Sequence, residues 1–456
     1  MSRFRNKKKK GSIGSFFYII LFLIVTAGGS YGYITWFEGD IPQIKSTKLP
    51  AYIGRKTNLS FVFFDRKSGI RSITVSIIQG NKSQKLFSKQ FHKSQSKNIQ
   101  PKERVNIEIN PGKLGLKEGT AKIKVTVFDH SFRNMMKGNG NELVHKVIID
   151  TKAPKISIIH SERYIVPGGA GIVIYSIDDT EKHGIMFNGV FHPGFPLIDE
   201  SEKKYISYIA LPYFAKNIGQ AEIVAEDAAG NKSVKRFAPI FKKPKQKHDR
   251  INVSDGFLSK KIPEFEEHYP EMKGTMIQKY IFANSKIRVM NNKTIHDLCL
   301  NPGSKQLWSG RFLRMAGSGK AGFADHRTYY YKGKAIDKQV HLGMDIASTR
   351  HANIKAAGTG KVIFADYLGI YGNMVMLDHG QGVFSLYSHL SQINVTVGEE
   401  LEKGNILALS GTSGMAGGDH LHFSMLINGI FVTPIEWWDQ HWIDVTIDGP
   451  MVDAKF

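Results

Sequence analysis

The chain has 456 residues, a formal net charge of +22 and 41% hydrophobic residues, enough for two to four domains with their own cores. Its single cysteine, Cys299, excludes an intrachain disulfide and any metal cluster built from thiolates. Excess positive charge attracts polyanions, yet no recognised nucleic-acid-binding motif accompanies it. We therefore expect no nucleic-acid partner. Anionic lipid head groups or acidic peptides are the more suitable partners, and general solubility explains the charge equally well.

The N-terminus combines a basic cluster with a long apolar run. Residues 1–12 carry Arg3, Arg5 and the lysines at 7–10, and an uncharged apolar segment covers residues 13–37. A bilayer core about 30 Å thick is crossed by roughly 20 such residues, and basic residues remain on the cytoplasmic side. This pattern predicts a cytoplasmic tail, a transmembrane anchor at 13–37 and export of everything that follows.

A cleaved signal peptide is the competing interpretation of the same segment. Residues 26–30 are small but contain no A-x-A site, and the aromatic residues between Tyr31 and Phe37 are typical of a membrane interface. We therefore predict a single-pass protein of the cytoplasmic (inner) membrane. Its C-terminal part is expected in the periplasm or outside the cell.

The region after the apolar segment has the pattern of β-sandwich domains. Short alternating runs, such as 59–64, 73–78 and 172–177, are separated by Gly, Pro, Asn and Asp. The run AKIKVTVFDHSFRN (121–134) partly repeats in AEIVAEDAAGNKS (221–233).

The segment DTKAP (150–154) resembles the junction between two bacterial immunoglobulin-like domains. We therefore predict one sandwich at 41–150 and a second at 151–243. No catalytic constellation occurs in either, so their expected role is that of a spacer or a surface for cell-envelope protein partners.

The composition changes again after the second sandwich. Four lysines flank Pro244, and residues 244–300 carry enough helix-forming residues for one or two helices. Pro263 and Pro270 are expected to interrupt the first of them, and Asn291 with Asn292 to mark a turn. We interpret residues 244–300 as a linker with short helices.

The last quarter of the chain contains the residue types of a zinc hydrolase. The motifs HLGMD (341–345), YSHL (387–390) and GDHLHF (418–423) provide four histidines and, in the first motif, Asp345 within about 80 residues. Catalytic zinc sites use three protein ligands from imidazole and carboxylate groups and keep one position open for water. Two histidines and one carboxylate would bind the ion, which leaves two histidines for proton transfer.

The spacing of these residues indicates which side chains lie on the same face of a strand or helix. The residues after His420 are β-formers, and alternation along a strand places His420 and His422 on one face. His341 and Asp345 lie four apart, which fits one helix face, but Gly343 makes a loop or strand end equally suitable.

The remaining histidines carry weaker signals. His379 is expected to be structural, and His351 and His441 have no partner at metal-binding spacing. His326, beside Arg327, is expected in an exposed loop, with a position in the groove as the alternative.

Residues 307–442 resemble the lysostaphin-type (LytM-like) zinc metalloendopeptidases, which hydrolyse peptidoglycan cross-links. The motifs HLGMDIAS, AAGTGKVIFAD, YGNMVMLDHG, LYSHLS, VGEELEKGNILALSGTSG and GDHLHFSM occur in the family order. The resemblance implies that His341, Asp345 and His422 bind one Zn²⁺ per chain and that His389 and His420 are catalytic. It also implies a mainly antiparallel β domain with an open groove, which we place at 301–445.

These patterns together predict a mainly β protein. From the N-terminus it has a transmembrane helix, two immunoglobulin-like β-sandwiches, a short helical linker and a lysostaphin-type peptidase domain. The predicted function is that of a membrane-anchored zinc metalloendopeptidase that remodels peptidoglycan. The alternative is a non-catalytic murein-binding scaffold, or an activator of another cell-wall hydrolase. Because all five site residues lie between His341 and His422, residues 301–456 are expected to fold and act alone.

Overall fold

The computed structural model describes residues 13–92, 102–178, 180–243 and 245–455. The basic tail predicted at 1–12 lies outside the described residues. The chain divides into two compact units. The first contains the described residues up to Ala153 together with Asp227–Asn231, and the second contains Pro154–Glu226 and the described residues from Lys232 onward.

An apolar helix, α1, covers Ile13–Trp36. Within it, Phe16–Ile34 is long and apolar enough to cross a bilayer, with a mean hydropathy of 1.7 and none of this window buried against the protein. A signal sequence would satisfy the same test, so retention of the helix as an anchor stays a prediction.

The first unit continues as a β-sandwich. Alternating apolar residues of its two sheets face each other, among them Phe61, Phe63, Val75 and Val125, all of them buried. The sheets have the strand orders β1-β3-β6 and β2-β8-β7-β4-β5. The elements are β1 Gln43–Ser46, β2 Tyr52–Ile53, β3 Thr57–Phe64, β4 Ile70–Gln79, β5 Lys82–Gln90, β6 Lys102–Ile109, β7 Gly119–Asp129, the helical turn α2 Arg133–Met136 and β8 Gly140–Ile149.

The second unit begins with another set of facing sheets. Their strand orders are β14-β15-β11-β9 and β13-β12-β16-β17, and the short β10 and β18 pair in parallel. The elements are β9 Lys155–Ser161, β10 Tyr164–Ile165, β11 Ala170–Asp178, β12 Lys182–Phe187, β13 Val190–Pro193, β14 Phe195–Pro196, β15 Lys204–Ala210, β16 Ala221–Glu226, β17 Lys232–Arg236 and β18 Ile240–Phe241.

The segment interpreted as a linker is a packed part of the second unit. It forms β19 His248–Val253, α3 Asp255–His268, α4 Met276–Phe282 and α5 Arg288–Leu298, with a π-helical turn between α4 and α5. The buried faces of these helices join one apolar core with the sheet that follows.

Two expected interruptions of these helices are wrong. Pro263 lies inside α3. It is exposed, as is Ser259 four residues earlier, so water can satisfy the carbonyl that proline leaves unpaired. Asn291 lies inside α5, where its side chain is buried and accepts a hydrogen bond from the Ile370 N–H at 2.9 Å. A tertiary contact therefore overrides the turn preference of asparagine.

The C-terminal domain is built on a large, mostly antiparallel sheet. The main path of its strands is β20-β23-β30-β27-β26-β25-β28. A smaller sheet pairs β19 in parallel with β21, and β21 in turn pairs antiparallel with β22. The elements are β20 Ser318–Ala321, β21 His326–Tyr331, β22 Lys334–Val340, β23 Met344–Ala347, β24 Asn353–Lys355, β25 Gly360–Tyr367, β26 Asn373–Asp378, β27 Val383–Ile393, β28 Glu400–Leu401, β29 Ile406–Ser410, β30 Leu421–Ile427, β31 Ile430–Val432, α6 Pro434–Trp438, α7 Gln440–Ile443 and α8 Gly449–Lys455.

One apolar core links the second sandwich to this domain. Tyr208 on β15 packs near Trp308 and Trp437, whose ring centroids lie 5.5 Å from each other. On the other side of the large sheet, Met376 and Phe384 pack with the helices α3 to α5. A fragment that starts at residue 301 would expose both surfaces, so the structure does not support its independent folding.

We expect the fragment Pro154–Phe456 to fold cooperatively and Asn301–Phe456 to aggregate or to lack a cooperative thermal transition. Burial of apolar area provides about 25 cal/mol per Å², and the shorter fragment loses this from two faces at once. Circular dichroism melting and size-exclusion chromatography of the two fragments check this. Equal melting temperatures would show that the upstream segments are dispensable for folding.

A partly buried carboxyl also joins the second sandwich to the C-terminal domain. Glu436 on α6 accepts a hydrogen bond from the Ala170 N–H at 2.9 Å. Burial raises the pKa of Glu436 from 4.5 to about 8, and the nearby Glu162 adds to the shift. The folded unit therefore holds a proton here that the unfolded chain releases between these two pH values.

We expect the wild-type protein to lose stability as the pH rises from 4.5 to 8, and Glu436→Gln to remove this loss. At pH 8 the variant should be more stable by about 1–3 kcal/mol, and near pH 4.5 the two should be similar. Denaturant titrations at both pH values measure this, with the exposed Glu402→Gln as the control. Parallel stability-versus-pH curves for wild type and Glu436→Gln would contradict the assignment.

Candidate metal centre and groove

Neighbouring strands of the large sheet bring three of the predicted site residues together. His341 directly follows β22, Asp345 lies on β23 and His422 lies on β30. Asp345 and His422 are direct partners in the β23–β30 register, so their side chains leave the sheet on the same face. Of the two arrangements open for His341 and Asp345, the structure has the loop and strand end.

The donor atoms of these three residues converge on one point. His341 Nε2, Asp345 Oδ1 and His422 Nδ1 lie 2.9 Å from one another in all three pairs. All three residues are at least nine-tenths buried. Two imidazole nitrogens and one carboxylate oxygen are the donor types that zinc accepts.

The surrounding hydrogen bonds determine which ring nitrogens carry protons. His341 Nδ1 lies 2.7 Å from the Gly322 carbonyl and must donate to it, which leaves Nε2 with a lone pair. Ser424 donates its own hydrogen to the Leu342 carbonyl, so His422 Nε2, 3.1 Å from the Ser424 Oγ, is the donor in that pair. In their neutral forms the two rings therefore direct their lone pairs at each other and at the Asp345 carboxylate. A cation removes this repulsion, so the donor set fits a metal ion.

The other two predicted residues lie beside this centre. The ring centroids of His389 and His420 are 4.8 Å apart, and His420 Nε2 is 3.5 Å from the Asp345 carboxylate. His389 Nδ1 lies 2.8 Å from the Ser413 carbonyl and His420 Nδ1 lies 2.7 Å from the Gly418 carbonyl. Both rings thus donate from Nδ1, which frees Nε2 for proton exchange. His389 also has a φ of 63°, a strained value for a residue with a side chain.

The environments of these groups separate their pKa values. Burial lowers the pKa of His422 to about 4, so this ring is neutral at pH 7. Burial also holds the pKa of His389 well below its usual value, and the neighbouring histidines lower it further. Burial opposes the charged form of His420 as well, but the hydrogen bond to Asp345, the charge of Asp345 and the hydrogen bond to the Gly418 carbonyl together outweigh it and raise the pKa. For Asp345, burial is outweighed by the combined interactions with His341, His420 and His422, and the pKa lies well below its usual value.

The sequence motifs did not predict that Arg327 contacts the carboxylate of this centre. The Arg327 guanidinium donates to Asp345 Oδ2 at 3.1 Å and leaves Oδ1 directed at the histidines. The neighbouring His326, which was considered for the groove, instead packs against His248. Alternation along the strand β21 could have shown that only one of residues 326 and 327 faces the site.

A groove of about 390 Å³ runs over the centre. One wall comes from the segment that the sequence indicated to be a linker, and no motif pointed to that contribution. The residues that line the groove from this segment include Asp249, Ile251, Phe257, Tyr280 and Arg288. Lys320 and Tyr371 line other parts of it. The residues predicted to form the site are therefore joined by side chains from far upstream.

The other histidines singled out in the sequence lie apart from the centre. His379 is fully buried, with its two ring nitrogens 2.8 Å from the Thr359 carbonyl and 2.7 Å from the Ser385 hydroxyl. His351 is exposed and contacts Ser391. His441 is exposed on α7.

Comparison with protein families agrees with this site. Residues 339–434 match the family model described as peptidase family M23. These residues include all five predicted site positions. The resemblance seen in the C-terminal motifs is thereby confirmed, as is the mainly β fold class. The immunoglobulin-like identity of the upstream sandwiches stays a prediction.

Similar curated proteins match the same region. The "DD-carboxypeptidase/endopeptidase Mpg" of Neisseria meningitidis is 35% identical over 97 residues, which cover 21% of this chain and 22% of that protein. The "Murein hydrolase activator EnvC" of Escherichia coli is 38% identical over 95 residues, which cover 21% and 23%. The chain thus spans about a fifth of the length of the curated relatives it matches.

Among solved structures, the catalytic domain of lysostaphin from Staphylococcus simulans is 27% identical. The match has a TM-score of 0.22 and covers 26% of this chain and 90% of the lysostaphin domain.

Proposed function

We propose that this chain, whose C-terminal part is a peptidase family M23 domain, is a zinc endopeptidase that hydrolyses peptide cross-links of peptidoglycan. The observation that carries the proposal is the convergence of His341 Nε2, Asp345 Oδ1 and His422 Nδ1 beside a second pair of histidines. Such a set of five groups provides a metal centre and a proton-transfer pair in one groove.

His341, Asp345 and His422 would hold the ion. Two nitrogen donors and one oxygen donor suit zinc, whereas calcium and magnesium prefer oxygen donors alone. When bound, zinc lowers the pKa of water to about 7 and polarises a carbonyl. Arg327 orients the Asp345 carboxylate through its other oxygen.

His389 and His420 would exchange protons with the reacting groups. The raised pKa of His420 suits a proton donor, and the lowered pKa of His389 suits a proton acceptor or a neutral hydrogen-bonding group. Both rings are fixed by Nδ1–H bonds to backbone carbonyls, so their Nε2 atoms need no reorientation during the reaction.

Peptidoglycan as the substrate is supported by the names of the relatives. Besides the carboxypeptidase/endopeptidase and the activator, a "Peptidoglycan DD-endopeptidase ShyA" of Vibrio cholerae is 33% identical over 89 residues. The groove contains Arg288 and Lys320, whose positive charge suits the carboxylates of stem peptides. We assign the catalytic role rather than the activator role because the five groups are present and mutually arranged for hydrolysis.

The cellular location follows from the same substrate. The apolar stretch Phe16–Ile34 would retain the chain in the cytoplasmic membrane, with the groove on the side where peptidoglycan lies. The two sandwiches would then provide reach from the membrane and surfaces for envelope proteins.

Digestion of purified sacculi by the detergent-solubilised full chain tests this function. We expect about one zinc per chain by elemental analysis and the release of muropeptides with new amino and carboxyl ends, identified by mass spectrometry. His441→Ala serves as the control, because it removes an exposed imidazole outside the groove. A zinc-loaded protein that leaves sacculi intact but stimulates a separate murein hydrolase would establish the activator role instead.

A further inference from the structure

Three carboxyl groups are buried together in the first β-sandwich. This sandwich belongs to the first compact unit, whereas the groove belongs to the second. Glu38 follows α1, Asp65 follows β3 and Asp129 ends β7, and their exposed fractions are 4%, 3% and 0%. One oxygen atom of each lies within 4.8 Å of the other two. Among the described residues, no lysine or arginine lies within ion-pair distance of any of them; Lys67 pairs with Asp40 at 2.7 Å and acts on Glu38 and Asp65 only from farther away. Burying three acids without a cation is costly.

Backbone amides satisfy only part of this cluster. Asp129 accepts bonds from the Ser131 and Asn139 N–H groups and from the Asn139 side chain. Asp65 Oδ1 accepts from the N–H groups of Lys67 and Gly69. These bonds fix the carboxylates and leave other lone pairs of the three acids facing each other.

Glu38 has one carboxylate oxygen in use and one without a partner. Its Oε1 accepts from the Ser68 N–H at 3.1 Å. Its buried Oε2 has no hydrogen-bond partner within the described part of the chain. A buried acceptor of this kind costs about 1–3 kcal/mol when nothing replaces water.

A second, independent group points into the same place. Ser68 is 8% exposed, and its hydroxyl has no hydrogen-bond partner among the residues that the structure describes. The Ser68 hydroxyl interacts with the Glu38 carboxylate, but neither this hydroxyl nor Glu38 Oε2 completes a hydrogen bond among the described residues. A further group that contacts both atoms would satisfy them.

We propose that Glu38, Asp65, Asp129 and Ser68 bind one calcium ion. Calcium takes oxygen ligands at about 2.3–2.6 Å, and the three carboxylate oxygens, all within 4.8 Å of one another, are close enough to share such an ion. All the donors are oxygens, so the site is chemically distinct from the centre built on His341 and His422.

The ion would join the segment that leaves α1 to the loops of the first sandwich. The backbone carbonyl of Glu38 already accepts bonds from the Ser131 hydroxyl and the Asn139 side chain, both at 3.1 Å. Asp65 and Asp129 belong to the β3–β4 and β7–β8 connections of the same sandwich. Calcium thus fixes the membrane-proximal segment to the sandwich and makes the stability of the first unit depend on the ion.

The alternative way to neutralise the cluster is protonation. Burial raises the pKa of both Glu38 and Asp65, and the neighbouring carboxylates add to each shift. If protons were the only neutralising charge, Glu38→Gln would stabilise the protein without any ion present. The same stabilisation of the ion-free protein is expected if calcium is the natural ligand, so calcium binding itself separates the two: the wild type binds the ion and Glu38→Gln binds it more weakly.

The test uses the full chain in detergent micelles, freed of divalent ions and then titrated with calcium alone. We expect about one calcium per chain by isothermal titration and a rise in the melting temperature. Glu38→Gln and Asp65→Asn should each weaken calcium binding by at least about tenfold, since each removes a charged ligand. Glu142→Gln removes an exposed carboxylate of the same sandwich and should bind calcium like the wild type.

Three results would overturn the proposal. They are no binding at millimolar calcium, equal binding by Asp65→Asn, or the same stabilisation by magnesium at equal concentration. Since Glu38 lies outside the strands, Glu38→Gln keeps the test valid if Asp65→Asn does not fold. His422→Ala should bind calcium normally, which separates this site from the metal centre of the groove.

Discussion

Replacement of His422 by alanine is expected to abolish zinc retention and all measurable hydrolysis of sacculi. His422 supplies one of three protein donors, and its Nδ1 lies 2.9 Å from both of the others. With only two donors left, the ion is held too weakly to stay bound during purification. Elemental analysis and a sacculus digestion assay measure the two effects, and the same loss is expected for His341→Ala and Asp345→Ala.

The control for this prediction is the folded state of the variants. His441→Ala should retain zinc, activity and melting temperature, because its side chain is exposed and outside the groove. His422→Ala also removes the repulsion among the converging lone pairs of the centre. We therefore compare the zinc-free variant with the zinc-free wild type, and expect any decrease in melting temperature to come only from the lost packing of the imidazole. Stoichiometric zinc in purified His422→Ala would show that the ligand assignment is wrong.

Removal of His389 or His420 is expected to leave zinc bound while reducing the hydrolysis rate by about 10²–10⁴-fold, the usual contribution of general acid–base catalysis. Neither ring belongs to the converging triad, and each is anchored by its own bond to a backbone carbonyl. His389→Ala and His420→Ala therefore separate proton transfer from metal binding. Zinc content is compared with the initial rate of muropeptide release.

The positive φ of His389 calls for a second variant at that position. Asparagine tolerates this backbone conformation better than most residues, so His389→Asn tests the imidazole without adding strain. Wild-type turnover by either His389 variant would exclude a catalytic role. If both His420→Ala and His389→Asn lost zinc together with activity, these histidines would belong to the metal centre.

Arg327 shows how the fold completes a site that motifs describe only in part. Its guanidinium contacts the carboxylate of Asp345, 18 positions away, because β21 and β23 each lie against the groove. Asp249 and Phe257 reach the same groove because β19 pairs in parallel with β21. Such pairing joins segments that no local pattern relates, so no sequence signal could have predicted the wall of the groove.

Core packing explains why the predicted linker and the independent fragment differ from the structure. The region 244–300 contains helix formers, and helices are indeed present, but their apolar faces pack on the back of the large sheet. Asn291 and Pro263 were expected to end helices from their local preferences. A buried hydrogen bond to Ile370 and an exposed proline position allow both to lie within helices.

The amino-acid sequence by itself determined the family of the C-terminal domain, the mainly β character of the chain and the apolar N-terminal helix. These features depend on local motifs, on alternation with a period of two and on the length of an apolar run, all of which are written in neighbouring residues. The roles assigned to the five groups between His341 and His422 stay predictions. Only the tertiary structure decided how the lone pairs of the triad converge, which upstream residues form the groove and that Glu38, Asp65 and Asp129 share one buried position. Each of these depends on strand register and long-range packing, since burial and distance are properties of the fold rather than of any single segment.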